Sequence, residues 1–152
     1  MSVSISALLD AARSHAMKIG RAERVLAHEP WAHPGQGLTI GVWPDQIRPV
    51  RSSGLSSVSV LVVLRIRLYG SLTAQPVDEL DVEMINAVDA LLASYVGNFT
   101  LGLSGVRNVD IFGAEGVYLR TQSGYLEMPD GTCRVVDIDL PLILNNVWEQ
   151  VP

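Results

Sequence analysis

At 152 residues the chain has the length of one domain, and 48% hydrophobic against 18% charged residues lets it bury a core, which excludes intrinsic disorder. No segment offers the ~18 uninterrupted apolar residues of a membrane span, and the single cysteine, Cys133, excludes a disulfide framework or a cysteine-ligated zinc site. The net charge of −5 argues against sequence-independent binding along DNA.

Ser4 or Ser6 caps a first helix whose apolar residues Ile5, Leu8, Leu9, Ala12, Ala16 and Ile19 fall at helical spacing, with Gly20 as its stop. One apolar stripe on a short helix places it against a sheet. Serines and Asp10 interrupt the apolar core that an export signal needs, so the chain reads as made and used in a cytoplasm. Residues 24–28 read as a short strand closed by Pro30, and WAHPGQG at 31–37 as a loop. Residues 38–43 are β-like, and Pro44 and Pro49 keep the next stretch off any sheet centre.

A second loop, RSSGLSS at 51–57, leads into the strongest strand, 58–69. Its run Val60-Leu61-Val62-Val63-Leu64 predicts burial on both faces, starting under helices. The alternation Arg65-Ile66-Arg67-Leu68 then predicts one wet face. Pro76 and Asp78 open a second helix, with Asp78, Glu79, Asp81 and Glu83 near the positive end of its dipole. Leu80, Met84, Ala87, Val88, Leu91, Leu92 and Tyr95 form its apolar stripe, and it ends at Gly97. Asp81, Asn86, Asp89 and Ala93 predict a polar, mostly acidic outer face.

After Gly97, Gly102 and Gly105 comes a strand at 106–112, then a weaker strand candidate at 118–122. The chain closes as a hairpin: 125–128, a turn at Pro129-Asp130-Gly131, and 133–140 returning, with Pro141 marking an edge or a bulge. There is no internal repeat and no linker. The expectation is one α+β domain over 1–152: a mostly antiparallel sheet flanked by two helices, with extended loops and a C-terminal β-hairpin.

The charge is unevenly divided. Residues 1–77 hold eight basic groups against four acids, a net of +4, and residues 78–152 hold three against twelve, a net of −9. Such polarity fits subunits that meet head to tail, basic face on acidic face. Equally, the halves interleave in one fold and the charges pair within it.

Motifs for chemistry are missing. His28 and His33 are five apart with Pro30 between them, which forbids the helix of a zinc-hydrolase motif. Asp137 and Asp139 alternate on one strand, roughly 6.5–7 Å apart along the backbone, a spacing open to a glycosidase pair. A strand with one wet face produces the same pattern, Arg65 and Arg67 offer a matching ladder, and 6% aromatic content is little for a sugar cleft. Cys133 lacks a helix N-terminus or basic partner to activate it. Gly102 to Gly105 has neither dinucleotide nor phosphate-loop spacing, and the arginines do not cluster with aromatics as in a nucleic-acid surface. No catalytic, cofactor or metal site is assigned, and the reading is of a non-enzyme.

The segments HEPWAHPGQGLTIGVW (28–43), SSGLSS (52–57), LRIRLYGSL (64–72), VRNVDIFGAEG (106–116) and DLPLILNNVW (139–148) resemble the tail terminator proteins of long-tailed, siphovirus-like actinobacteriophages. The likeness runs in order from about residue 5 to the C-terminus, and ten arginines against one lysine suit a high-GC genome. The resemblance implies a virion protein assembled in the host cytoplasm. Its copies, usually six, form a ring on the head-proximal end of the tail tube. The ring stops tube polymerisation and offers a docking surface to head-to-tail connector proteins. Implied partners are the chain itself, the tail tube protein and the connector, with genome DNA passing through the lumen without sequence-specific binding. A neck or minor tail component serving head closure or tail completion shares the pattern, and a small hydrolase using Asp137 and Asp139 is the rival from another class.

A ring needs heterologous contacts. Candidate subunit-interface residues are Arg48, Arg51, Arg65, Arg67, Asp137, Asp139 and Trp148. The four charged strand residues pair either within the sheet or across the subunit boundary. Trp148, beyond the last strand, either anchors a neighbour or packs on its own domain.

Overall fold

The structure is a computed structural model that describes residues 4–30, 37–51, 56–73, 76–129 and 131–151. Among them the elements run α1 (Ile5–Lys18), β1 (Ala22–Leu26), β2 (Leu38–Pro49), β3 (Ser57–Ser71), α2 (Val77–Gly97), β4 (Val106–Val109), β5 (Arg120–Met128) and β6 (Gly131–Glu149). The six strands form one sheet in the order β1-β2-β3-β6-β4, with β5 also on β6. β1 runs parallel to β2, and the other pairings are antiparallel. This is the α+β class expected, with both helices on one side of the sheet.

The helices form where the periodicity and the caps put them. Ser4 accepts the Ala7 N–H at 3.4 Å, and Gly20 follows α1 in the left-handed region at φ 68°. Pro76 precedes α2, whose first turn carries Asp78 and Glu79. The two meet where the Tyr95 hydroxyl donates to the Ala12 carbonyl at 3.0 Å and His15 Nδ1 lies 2.5 Å from Ser94 Oγ. α2 lies so close to β3 that a Cβ on Gly70 would come within 2.7 Å of the Leu80 side chain. The outer face of α2 is less polar than expected: Val82 and Ile85 are exposed, and Asp81 is drawn into a 3.1 Å ion pair with Arg134.

β3 is the central strand. Val60, Val62, Leu64, Ile66 and Leu68 face the helices in a core shared with Leu8, Ala12, Met84, Leu91 and Ile138. Each such side chain contributes about 1.5–3 kcal/mol relative to exposure. The other face of the apolar run is also buried, as predicted, but its cover is no helix. Leu61 and Val63 pack with Val50, Ile143 and Val117 instead.

The strand ends correct the reading in several places. β1 begins and ends two residues early. β2 continues through Pro44 to Pro49, with a bulge between Pro44 and Gln46. Because β1 pairs no further than Gly41, these prolines sit on a free edge, where a missing N–H costs no ladder bond. β4 stops at Val109, and the weak candidate at 118–122 belongs to one strand with 125–128. β6 does not end at Pro141 but runs on to Glu149. Its outer edge pairs with β5 up to Asp139 and with β4 from Leu142, and Pro141 falls in the gap between them. Trp148 is therefore inside the last strand, opposite Val58, rather than beyond it. The hairpin pairs Met128 with Gly131; Asp130 of its turn and most of both Gly/Pro/Ser loops (31–36 and 52–55) lie outside the described residues.

Candidate functional site on the open sheet face

The face of the sheet turned away from the helices carries the charged residues. The β3–β6 register sets Arg65 opposite Asp139 and Arg67 opposite Asp137, and β5 adds Arg120 opposite Asp139. Arg67 grips Asp137 with two bonds, Nε to Oδ1 at 2.5 Å and Nη2 to Oδ2 at 3.2 Å. Arg65 Nε lies 2.9 Å from Asp139 Oδ1, and Arg120 Nε donates to Asp139 Oδ2 at 2.7 Å. Asp45, on the β2 bulge, reaches Arg65 at 3.7 Å, and Glu29 reaches Arg67 at 3.4 Å. Trp43 lies under the Arg67 guanidinium, 5.3 Å from ring centroid to carbon.

Three arginines thus meet four carboxylates on one surface. Burial opposes the charge on Arg67, but its bonds to Asp137 and Tyr69 outweigh that and raise its pKa above the ordinary arginine value. Tyr69 is raised, chiefly by burial. Apolar clusters close the face at both ends: Val50, Leu61, Val63 and Ile143 at one, Tyr69, Cys133 and Val135 at the other. Cys133 is sealed there, its thiol pushed up by burial, as suits a structural residue.

Arg65, Arg67, Asp137 and Asp139 are therefore brought together within one chain. Arg48, Arg51 and Trp148 stand apart from them, at the end of the sheet where β3 begins. The Arg48 guanidinium donates to the Glu115 carbonyl, Arg51 is exposed after β2, and Trp148 is 37% exposed. Beside Asp137 and Asp139 the surface holds a recess of about 30 Å³, and a wider open one of about 300 Å³ reaches Asp139 and Arg120. Among the described residues no three His, Cys, Asp or Glu side chains gather as metal ligands, and no helix is long and apolar enough to cross a membrane. His33 lies outside them.

Sequence reasoning missed Arg120, Asp45 and Glu29. Arg120 was within reach: a two-residue turn pairing Met128 with Gly131 sets Arg120 against Asp139 by simple counting. It also missed a polar lock at the sheet end. Arg107 donates to Asn145 Oδ1 at 2.6 Å and to Ser59 Oγ at 3.1 Å, and the Asn146 N–H reaches the same buried hydroxyl at 3.1 Å. This lock holds a bulge in which Asn146 adopts φ 50°.

No protein-family model matches the chain, and no curated protein matches it either. Among solved structures, the fold is similar to a chain in the virion of a native gene transfer agent particle. The TM-score is 0.60 at 14% identity, over 94% of this chain and 98% of that one. A looser similarity, TM-score 0.45 at 12% identity, is to the sheath/tube terminator of an extracellular contractile injection system, PVC, in its extended state. It covers 100% of this chain and 62% of that one.

Proposed function

We propose that this chain is a tail terminator: a virion protein whose copies form a ring on the head-proximal end of a tail tube and stop its growth. The carrying observation is the shared fold with a gene transfer agent virion chain over nearly the full length of both. The terminator role itself is drawn from the resemblance of the five ordered segments between residues 28 and 148. The mechanism is steric and interfacial, with no turnover and no cofactor. The ring covers the subunit-binding end of the tube, offers its other side to the head-to-tail connector, and leaves a lumen through which DNA passes unread.

Arg48, Arg51 and Trp148, at one end of the sheet, are the residues on this reading best placed to meet a neighbouring copy. Arg65, Arg67, Asp137 and Asp139 are already ion-paired with one another, so they bear on a neighbour only through their outward atoms. Exposed ion pairs contribute about 0.2–1 kcal/mol each, which leaves apolar contact to hold the ring. A hydrolase built on Asp137 and Asp139 has no free carboxylate to work with, since Arg67 grips one and Arg65 and Arg120 the other.

The likeness to a particle chain also suits a head-closure or tail-completion slot, which is the second reading. Electron microscopy of the chain mixed with preformed tail tubes separates them. A terminator decorates one end of each tube with a ring. A neck component leaves the tube ends bare and binds the connector, and that result would remove the first reading.

A further inference from the structure

Two features beside β4 are left open to solvent by the fold. The first is Phe112, the most exposed of the described large hydrophobic side chains at 93%. It is not on a loose loop. The Asp110 carboxylate accepts the N–H groups of Ala114 at 2.9 Å and Glu115 at 3.0 Å, and Leu119 N–H bonds the Ile111 carbonyl at 3.0 Å. Gly113 and Gly116 take φ 73° and 105°, and a Cβ on Gly116 would meet Arg48 at 2.8 Å. The loop leaves the helix side at Ile111 and reaches the open face at Val117, with Phe112 standing on the β4 edge between them.

The second feature is a pocket of about 280 Å³ under the N-terminus of α1. Ala7, Leu8, Leu103, Val106, Leu144 and Val147 give it an apolar lining. Ser4, Ser104, Gly105 and Asn145 complete its rim. An apolar cavity of roughly 150 Å³ is enough to take a benzene ring.

We propose that Phe112 of one copy inserts into the α1 pocket of the next. The knob stands on the β4 edge and the pocket opens on the helix side, so the contact joins two different surfaces and is heterologous, the kind whose repetition closes a ring. The inference rests on the ring reading above and names the apolar contact that holds it.

The test pairs two measurements. Phe112→Ser, at an exposed position, leaves folding intact and weakens self-association in sedimentation by roughly 30-fold, the loss when a hot-spot aromatic is removed. Ala7→Trp, which fills the pocket from the other copy's side, does the same. The double variant Phe112→Cys with Ser104→Cys, the second position lining the pocket, is oxidised at a concentration high enough to offset the lost aromatic ring and gives a ladder of disulfide-linked multimers ending at the closed ring, and either single variant gives none of that ladder. Rings that form unchanged in Phe112→Ser would overturn this contact and leave the terminator reading standing. Weakening by Ala7→Trp alone would assign the pocket to another occupant and overturn it too. A wild-type chain that neither self-associates nor decorates tubes would overturn both.

Discussion

On the helix side of β3, Val60, Val62, Leu64, Ile66 and Leu68 are sealed from water, whereas on the other side the series Leu61, Val63, Arg65, Arg67, Tyr69 is broken by two arginines. One strand thus faces two kinds of environment. The helix side is one continuous apolar layer joined to both helices. The open side holds two small apolar clusters with an ionic network between them. Its charges find partners laterally, across β3, β5 and β6, so the face needs no second layer of helices to satisfy them. The helix side therefore carries most of the stability, and the open side holds a nearly charge-balanced ionic patch between two small apolar clusters.

The contrast breaks most visibly in the apolar layer. Leu64→Ala, at a fully buried position, lowers unfolding stability by about 2–5 kcal/mol, read by denaturant titration. Asp137→Asn on the open side costs less, about 1–3 kcal/mol, because the pair is partly solvated and Arg67 keeps Glu29 and Tyr69. A cost equal to that of Leu64→Ala would erase the distinction.

Replacing both partners sharpens it. Arg67→Met with Asp137→Leu lies within about 1 kcal/mol of wild type, since Arg65 keeps Asp139 and Asp45 and the one carboxylate that loses its partner, Glu29, is exposed to water. If the double replacement is as costly as Asp137→Asn, the network specifies the sheet register rather than filling a surface.

The smallest effect lies in the helix layer. Burial, and then the charge of Lys18, lower the pKa of His15 below its ordinary 6.5. The folded state therefore binds fewer protons than the unfolded chain between the two values. The His15 contribution is complete above pH 6.5 and is lost as pH falls below it toward the folded value. His15→Gln removes that acid-side slope in thermal melts recorded across this range, and an unchanged slope would place the titration elsewhere.

Much of the fold was legible because the relevant physics is local. Periodicity and caps placed both helices, and the switch from a continuous apolar run to Arg65-Ile66-Arg67-Leu68 placed the wet face. The pairing of Arg65 and Arg67 with Asp137 and Asp139 was legible as one of two alternatives, and register decided it in favour of pairing within the sheet. The errors arose where tertiary context overrides a residue's usual meaning. Pro44, Pro49 and Pro141 do fall at edges, as read, but β2 and β6 run on through them because the neighbouring strand has ended there and no donor is required. The pocket under α1 was illegible, since it joins residues 4–8, 103–106 and 144–147. Phe112 was hidden inside an apparent strand, because nothing local says that β4 stops at Val109.

The central claim, that this chain ends tube growth, is tested most directly by adding it to tail tubes while they polymerise and following their length distribution. Elongation is expected to halt soon after addition, with rings on the arrested ends. Tubes that keep lengthening at the untreated rate, with bare ends, would contradict it.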